Sequence, residues 1–188
     1  MSYELHQETS QLEHVRCAVL TISDTRTEET DRSGTLLRNR LQEHGHQVVH
    51  YAIVPDEPEM IGALLDELAG KVDVILTTGG TGISHRDTTY EVVAARLEKT
   101  LPGFGELFRM LSFQEIGSGA MLSRAIGGVY RNTLIFALPG SLGAVKLALD
   151  RLLLPELRHL VWEIRRKHWN DLRTPWRVRP KRCVFTTP

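Results

Sequence analysis

The sequence predicts a three-layer α/β/α domain on a mostly parallel sheet, with room for one antiparallel strand. Three observations predict it. Short β-rich apolar runs alternate with stretches of helical periodicity in the order βαβαβα, and a further strand–loop–helix follows. The first run is almost continuously apolar, which suits a strand covered on both faces. Loops rich in small and polar residues follow the strands directly, where such sheets bind ligands.

Val15 to Ile22 (VRCAVLTI) is the first strand, and Ser23 to Thr30 a polar loop. Asp31 or Ser33 can cap a helix to about His44, with Leu36, Leu37 and Leu41 on one face. Gly45 suits its end. Gln47 to Val54 is the second strand. Pro55 to Pro58 turns into a helix that carries Met60, Ile61, Leu64, Leu65 and Leu68 at helical spacing. Val72 to Thr77 is the third strand. Thr88 to Glu98 is a helix, with Val92, Val93 and Leu97 inward. Pro102 to Ile116 holds a short helix (GELFRMLSF), and Ala120 to Ala125 has no clear type. Gly127 to Leu138 reads as two strands around Tyr130-Arg131-Asn132, the second being Thr133 to Leu138. A last helix starts near Ala144, and Pro155 enters or splits it.

Composition narrows the classes. The chain has 188 residues, 41% of them hydrophobic and 24% charged, which argues for a folded domain and against disorder. Net charge is zero, so no whole-chain cationic field exists for nucleic acid. The balance is local: residues 165–188 hold eight Lys/Arg and one acid, a +7 extension on a −7 body. Residues 1–14 read as a polar arm, expected to be flexible. That arm is neither a signal nor a transit peptide, and no run approaches the ~18 apolar residues of a membrane span, so the cytoplasm is expected. Cys17 and Cys183 make neither a disulfide framework nor a metal motif. His44, His46 and His50 lack partners at zinc spacing, and no GxSxG or Cys-His signature points to acyl transfer. Trp162, Trp169 and Trp176 near the basic extension suit packing on the body or on another subunit better than nucleic acid.

The post-strand loops carry the candidate chemistry. Thr77-Thr78-Gly79-Gly80-Thr81-Gly82 lets the backbone turn sharply, approach a ligand and offer amides and hydroxyls to an anion; a tight structural turn is the other reading. Its spacing is neither Walker A nor GxGxxG. Asp87 either caps the next helix or meets a cation beside the loop. Asp56-Glu57 either starts a helix or brings a second carboxylate for Mg²⁺ and phosphoryl or nucleotidyl transfer. Ser23-Asp24 and Asp31-Arg32-Ser33-Gly34 could cap or hold an anion. Pro139-Gly140-Ser141 is a second small-residue loop, and Arg124 could clamp a phosphate or pair with a surface acid.

Six motifs follow in order: Val19-Leu20-Thr21-Ile22-Ser23-Asp24; Val54-Pro55-Asp56-Glu57; the glycine loop with Arg86-Asp87; Gly103 to Phe108; Met121-Leu122-Ser123-Arg124; and Leu138-Pro139-Gly140-Ser141. Together they resemble the MoaB/MogA family of molybdenum cofactor biosynthesis, and GFGELFRMLSFQEIGSGAMLSRAIGG is closer to its MoaB branch. The resemblance spans about residues 15–164 and implies a molybdopterin-binding domain there. It implies a nucleotidyltransferase that adenylylates the pterin phosphate with Mg·ATP and releases pyrophosphate. The alternative is a pterin-binding protein of the same pathway without turnover. It also implies a homotrimer or hexamer, with other proteins of the pathway as further partners, and gives no reason to expect membrane or nucleic acid. By matching positions, Asp56 and Asp87 are the catalytic aspartates and would hold Mg²⁺. Thr78, Gly79, Gly80, Thr81 and Gly82 form the pterin-phosphate loop, with Ser123, Pro139, Gly140 and Ser141 in the substrate pocket and Ser23 and Asp24 at its rim. Two features depart from the family: Tyr90 stands where it has proline, and residues 165–188 lie outside the resemblance.

Overall fold

A computed structural model describes residues 14–166 of the chain. The N-terminal arm except His14, and the basic extension beyond Arg166 with Trp169, Trp176 and Cys183, lie outside the described residues. Six strands form one sheet in the order β2-β1-β3-β6-β5-β4. They are β1 Arg16–Ile22, β2 Gln47–Val54, β3 Val74–Thr78, β4 Lys99–Thr100, β5 Ile126–Tyr130 and β6 Thr133–Leu138. β1 lies parallel to β2 and β3, and β3 parallel to β6. β5 runs against both β6 and β4, so it alone opposes the rest. Arg131 (φ 47°) and Asn132 (φ 61°) explain the reversal: two adjacent residues with positive φ make the tight turn that a hairpin's twist prefers.

Helices cover both faces. α1 Arg32–Glu43, α4 Pro102–Ile116, α5 Leu142–Ala148 and α6 Leu154–Arg165 pack on one side; α2 Pro58–Leu68 and α3 Thr89–Ala94 pack on the other. Strand alternation divides the core accordingly. Cys17, Val19, Val74, Leu76 and Phe136 face Leu37, Leu41, Phe108 and Leu157. Ala18, Leu20, Ile75 and Ile135 face Ile61, Leu65 and Val93. Because both faces are covered, the central strands read as unbroken apolar runs. Burial, with the Asp73 carboxylate nearby, pushes the Cys17 thiol up to about 12, so it is an inert core residue. Among the described residues no helix is long and apolar enough to cross a membrane.

Local outcomes differ from expectation in three places. α3 stops at Ala94 rather than Glu98, because the Glu98 and Leu101 amides bond to the Val129 and Gly127 carbonyls and draw the chain to the sheet edge as β4. α4 fills the whole of Pro102–Ile116, with proline in its first turn where no amide partner is lost. Gly117–Leu122 is a 3-10 helix. The last helix is divided at Pro155 as the sequence allowed: a π-helical stretch over Leu149–Leu153 separates α5 from α6, which holds the proline in its first turn.

Asp31 fastens the first loop to the sheet. It is 2% exposed and caps α1 by accepting the Gly34 amide at 2.9 Å. It also accepts the hydroxyls of Thr21 at 2.5 Å, Tyr51 at 2.7 Å and Ser33 at 3.2 Å. Burial pushes this carboxyl up, but the four hydrogen bonds, led by Thr21, outweigh it and hold it below the usual range. The Gly34 amide and Ser33 hydroxyl are therefore committed to the cap, not to an anion. Asp31→Ala leaves buried donors unsatisfied and should cost on the order of 2–4 kcal/mol in urea denaturation. The carboxylate's contribution is present above its unfolded pKa and lost as pH falls through the lowered folded value. The gap between wild type and variant should therefore narrow in acid.

Candidate functional site at the carboxyl edge of the sheet

β1, β3 and β6 end abreast, with Thr21 opposite Thr78 and Thr78 opposite Leu138. The chain switches direction across the sheet between β1 and β3, and a crevice opens beyond such a point. Gly79 (φ +102°) and Gly80 (φ +64°) begin the loop after β3. A side chain at Gly79 would collide with the Ile22 carbonyl, so only glycine fits. The Gly79 amide bonds to the Leu138 carbonyl at 3.1 Å, and the Thr78 hydroxyl donates to Pro139 O at 3.2 Å. Thr78 is thus buried beneath the loop as its fastening. Among the described residues no backbone carbonyl accepts from the amides of Gly80, Thr81 or Gly82.

Above the loop lies a cavity of about 390 Å³. It brings together Gly79, Gly80, Thr81, Gly82, Asp87, Ser123, Pro139, Gly140 and Ser141, as the sequence led one to expect. The Ser123 hydroxyl is buried without a hydrogen-bond partner and belongs to this wall. Ser141 also caps α5, accepting the Ala144 amide at 3.3 Å. Sequence reasoning missed the opposite wall of Phe108, Ser112, Ile116 and Ala120. Ser112, a polar residue on the buried face of α4, was the available signal. A larger cavity of about 600 Å³ between the β4–β5 edge and α6 contains none of the candidate residues.

Asp56 does not line the cavity; it stands against the loop beside it. A methyl on Gly80 would lie 2.7 Å from Asp56 Oδ1, an oxygen that is buried without a partner. The Thr89 hydroxyl, fully buried and also unpartnered, meets the same point and was not anticipated. Burial, then the neighbouring Asp24 and Asp87 charges, raises the Asp56 carboxyl above its ordinary range. Asp87 Oδ2 accepts the Ser84 amide at 2.8 Å and lies 2.7 Å from where a Gly82 methyl would be. It is not the helix cap: that position is Thr88, whose side chain makes no capping bond. The two carboxylates therefore stand against one glycine loop, Asp56 at Gly80 and Asp87 at Gly82, and the Asp87 charge adds to the rise at Asp56.

The rim is tied by charge. Asp24 accepts the Asp56 amide at 3.1 Å and Arg86 Nη2 at 2.6 Å, and Arg86 also reaches Glu57 at 2.9 Å. The Arg86 guanidinium holds the Asp24 carboxyl below its usual range. Ser23 is turned to its own loop, accepting the amides of Thr25 and Arg26 at 3.2 and 3.3 Å. Neither Ser23 nor Asp24 lines the cavity. Arg124 clamps backbone rather than standing free, donating to the carbonyls of Thr81 at 3.1 Å and Asp87 at 3.0 Å.

Among the described residues no group of three or more His, Cys, Asp and Glu could hold a metal ion. His44 bonds to the Arg40 carbonyl at 2.8 Å, and burial lowers His46 to about 4. Two carboxylates beside a glycine loop do fit Mg²⁺, which keeps waters and takes its remaining ligands from substrate phosphates. The partnerless Asp56 oxygen is the observation that carries this fit.

Fold and site define a mostly parallel α/β domain, covered on both faces, with a glycine-floored cavity at its switch point. The family model described as "Probable molybdopterin binding domain" matches residues 18–159. Molybdenum cofactor biosynthesis protein B of Halalkalibacterium halodurans is 55% identical over 167 residues, 87% of this chain and 98% of that protein. Its counterpart in Bacillus subtilis is 48% identical over 172 residues, 88% of this chain and 99% of that protein. Among solved structures, a molybdenum cofactor biosynthesis protein B superposes with a TM-score of 0.80 at 55% identity, covering 84% of this chain and all of the other. The tungsten cofactor synthesizing protein MoaB of Pyrococcus furiosus gives 0.73 at 36% identity, over 82% of this chain and 99% of that one. The chain belongs to the MoaB/MogA family of molybdenum cofactor biosynthesis, on its MoaB branch.

A carboxyl raised in the fold is destabilising once ionised: the penalty is absent below the unfolded pKa and complete above the folded one. Asp56→Asn should therefore melt no lower than wild type at neutral pH by calorimetry, with the difference vanishing in acid. A marked drop in melting temperature would make Asp56 a structural residue.

Proposed function

We propose that the protein adenylylates molybdopterin, transferring AMP from Mg·ATP to the pterin phosphate and releasing pyrophosphate. The observation that carries this reading is the placement of Asp56 against Gly80 and Asp87 against Gly82 of one glycine loop, with Asp56 Oδ1 buried and unpartnered. The amides of Gly80, Thr81 and Gly82 would hold the pterin phosphate, and the Ser123 hydroxyl would donate to substrate. A pterin phosphate oxygen bonds to the α-phosphorus as its bond to the pyrophosphate oxygen breaks. That displacement needs alignment and charge neutralisation rather than a protein nucleophile. Mg²⁺ accompanying the nucleotide supplies positive charge, since two phosphates beside two carboxylates repel strongly in a partly buried cleft. Asp56 and Asp87 would hold it.

Assembly as a homo-oligomer, trimer or hexamer, is part of this reading. α4 buries Phe104 and Phe108 inward yet exposes Leu107, Met110 and Phe113 outward at 47%, 52% and 61%. A helix apolar on both faces favours further burial against other copies.

The test is pterin adenylylation by the purified chain with Mg·ATP. Asp56→Asn and Asp87→Asn should each lose about 10²–10³-fold in rate, the scale of one lost electrostatic partner at a transition state, while still retaining pterin. Pterin retention by wild type with no ATP-dependent pyrophosphate release would contradict the proposal and leave a binding protein of the same pathway.

A further inference from the structure

We propose that Arg124 is a positioning residue for Asp87, acting through the backbone of the glycine loop. This rests on the role given to Asp87 above. Arg124 leaves the end of the 3-10 helix and crosses to the loop. Its Nε donates to the Thr81 carbonyl at 3.1 Å and its Nη2 to the Asp87 carbonyl at 3.0 Å. Its Nη1 pairs with Glu91 Oε1 on α3, and Nη2 also donates to Glu91 Oε2 at 3.3 Å. Its guanidinium carbon lies 5.0 Å from the ring centre of Tyr90. One planar cation thus spans both ends of the segment from Thr81 to Asp87 and the helix that follows. Asp87 closes its own turn with Ser84, amide to carbonyl at 2.9 Å and side chain to amide at 2.8 Å, and the Thr89 amide reaches the Gly80 carbonyl at 2.9 Å; among the described residues Arg124 is what bonds the carbonyls of both Thr81 and Asp87.

This also gives Tyr90 a reason. A proline in the first turn of α3 would preset the backbone; tyrosine gives that up but offers a ring to the guanidinium. Lysine cannot replace such a fork, because an ammonium is a point donor and cannot reach two carbonyls and a carboxylate in one plane. The consequence lies first in cation handling. The Thr81 carbonyl shares a planar peptide with the Gly82 amide, but the Gly80 and Thr81 amides and the Ser123 hydroxyl are not partners of Arg124, so pterin capture changes less.

The experiment compares wild type, Arg124→Met, Arg124→Lys and Asp87→Asn as full-length chains. Two readouts are taken. One is binding of Mn²⁺, standing in for Mg²⁺, with a non-hydrolysable ATP analogue, followed by electron paramagnetic resonance. The other is adenylylation against Mg²⁺ and against pterin. Both Arg124 variants should weaken Mn²⁺–nucleotide binding about tenfold and raise the half-saturating Mg²⁺ to match, with the pterin KM changed less than threefold. Wild-type-like Mn²⁺ binding in Arg124→Met, when Asp87→Asn has lost it, overturns this proposal and leaves the proposed function standing. So does a rise in pterin KM at unchanged Mg²⁺ dependence, which would make Arg124 a substrate contact. Wild type that neither binds Mn²⁺ with nucleotide nor turns over overturns the proposed function, and this inference with it.

Discussion

Close approach of the β3 loop to the end of β1 is the constraint on which the site depends. Gly79, at φ +102°, passes so near the Ile22 carbonyl that no side chain fits between. Its amide is fixed to Leu138 at the end of β6, and the Thr78 hydroxyl to Pro139. Three parallel strands thus set the position of one peptide. The next turns, Gly80 and Gly82, inherit it, and the side chains of Asp56 and Asp87 press against them. A loop anchored in this way holds its amides in place before any ligand arrives, which is what preorganised electrostatics requires.

Two aspartates near the ends of neighbouring strands show how environment divides structural from chemical roles. Asp31 is 2% exposed, yet four donors converge on it and its carboxyl sits low. Asp56 has a buried oxygen that meets no donor, and other carboxylates stand around it, so its carboxyl sits high. The first stabilises the fold. The second carries unfavourable charge that a proton or a cation would relieve, a pattern that gathers at functional sites. Arg86 and Arg124 are also unlike. Arg86 neutralises exposed acids at the rim, whereas Arg124 is partly buried and ties two carbonyls as well as the Glu91 carboxylate.

Much of the fold was legible because covering a sheet on both faces writes long apolar strands and leaves loops at their carboxyl ends. VRCAVLTI and TLIFAL became β1 and β6, and Asp31 caps as its residue type suggests. The short α3 was not legible, since Glu98 and Leu101 choose sheet carbonyls offered from β5, which no local pattern reveals. Nine cavity residues from three separate segments were legible from small-residue loops and the family motifs. Asp56 standing beside the cavity rather than in it was not, because its placement depends on how β2's loop leans on Gly80. The same holds for Thr89 and for the two carbonyl partners of Arg124, since main-chain acceptors leave no mark in sequence; its pairing with a surface acid, Glu91, was one of the two expected roles.

The proposed adenylylation requires one divalent cation between Asp56 and Asp87 at the mouth of the glycine loop when nucleotide is present. The most direct measurement is a crystal structure of the chain soaked with Mn²⁺ and a non-hydrolysable ATP analogue, with the ion located by its anomalous signal. A single strong peak is expected within coordination distance of Asp56 Oδ1 and the Asp87 carboxylate, with phosphate oxygens completing the shell. A peak bound elsewhere, or nucleotide seated with Asp56 Oδ1 still unliganded, would contradict it.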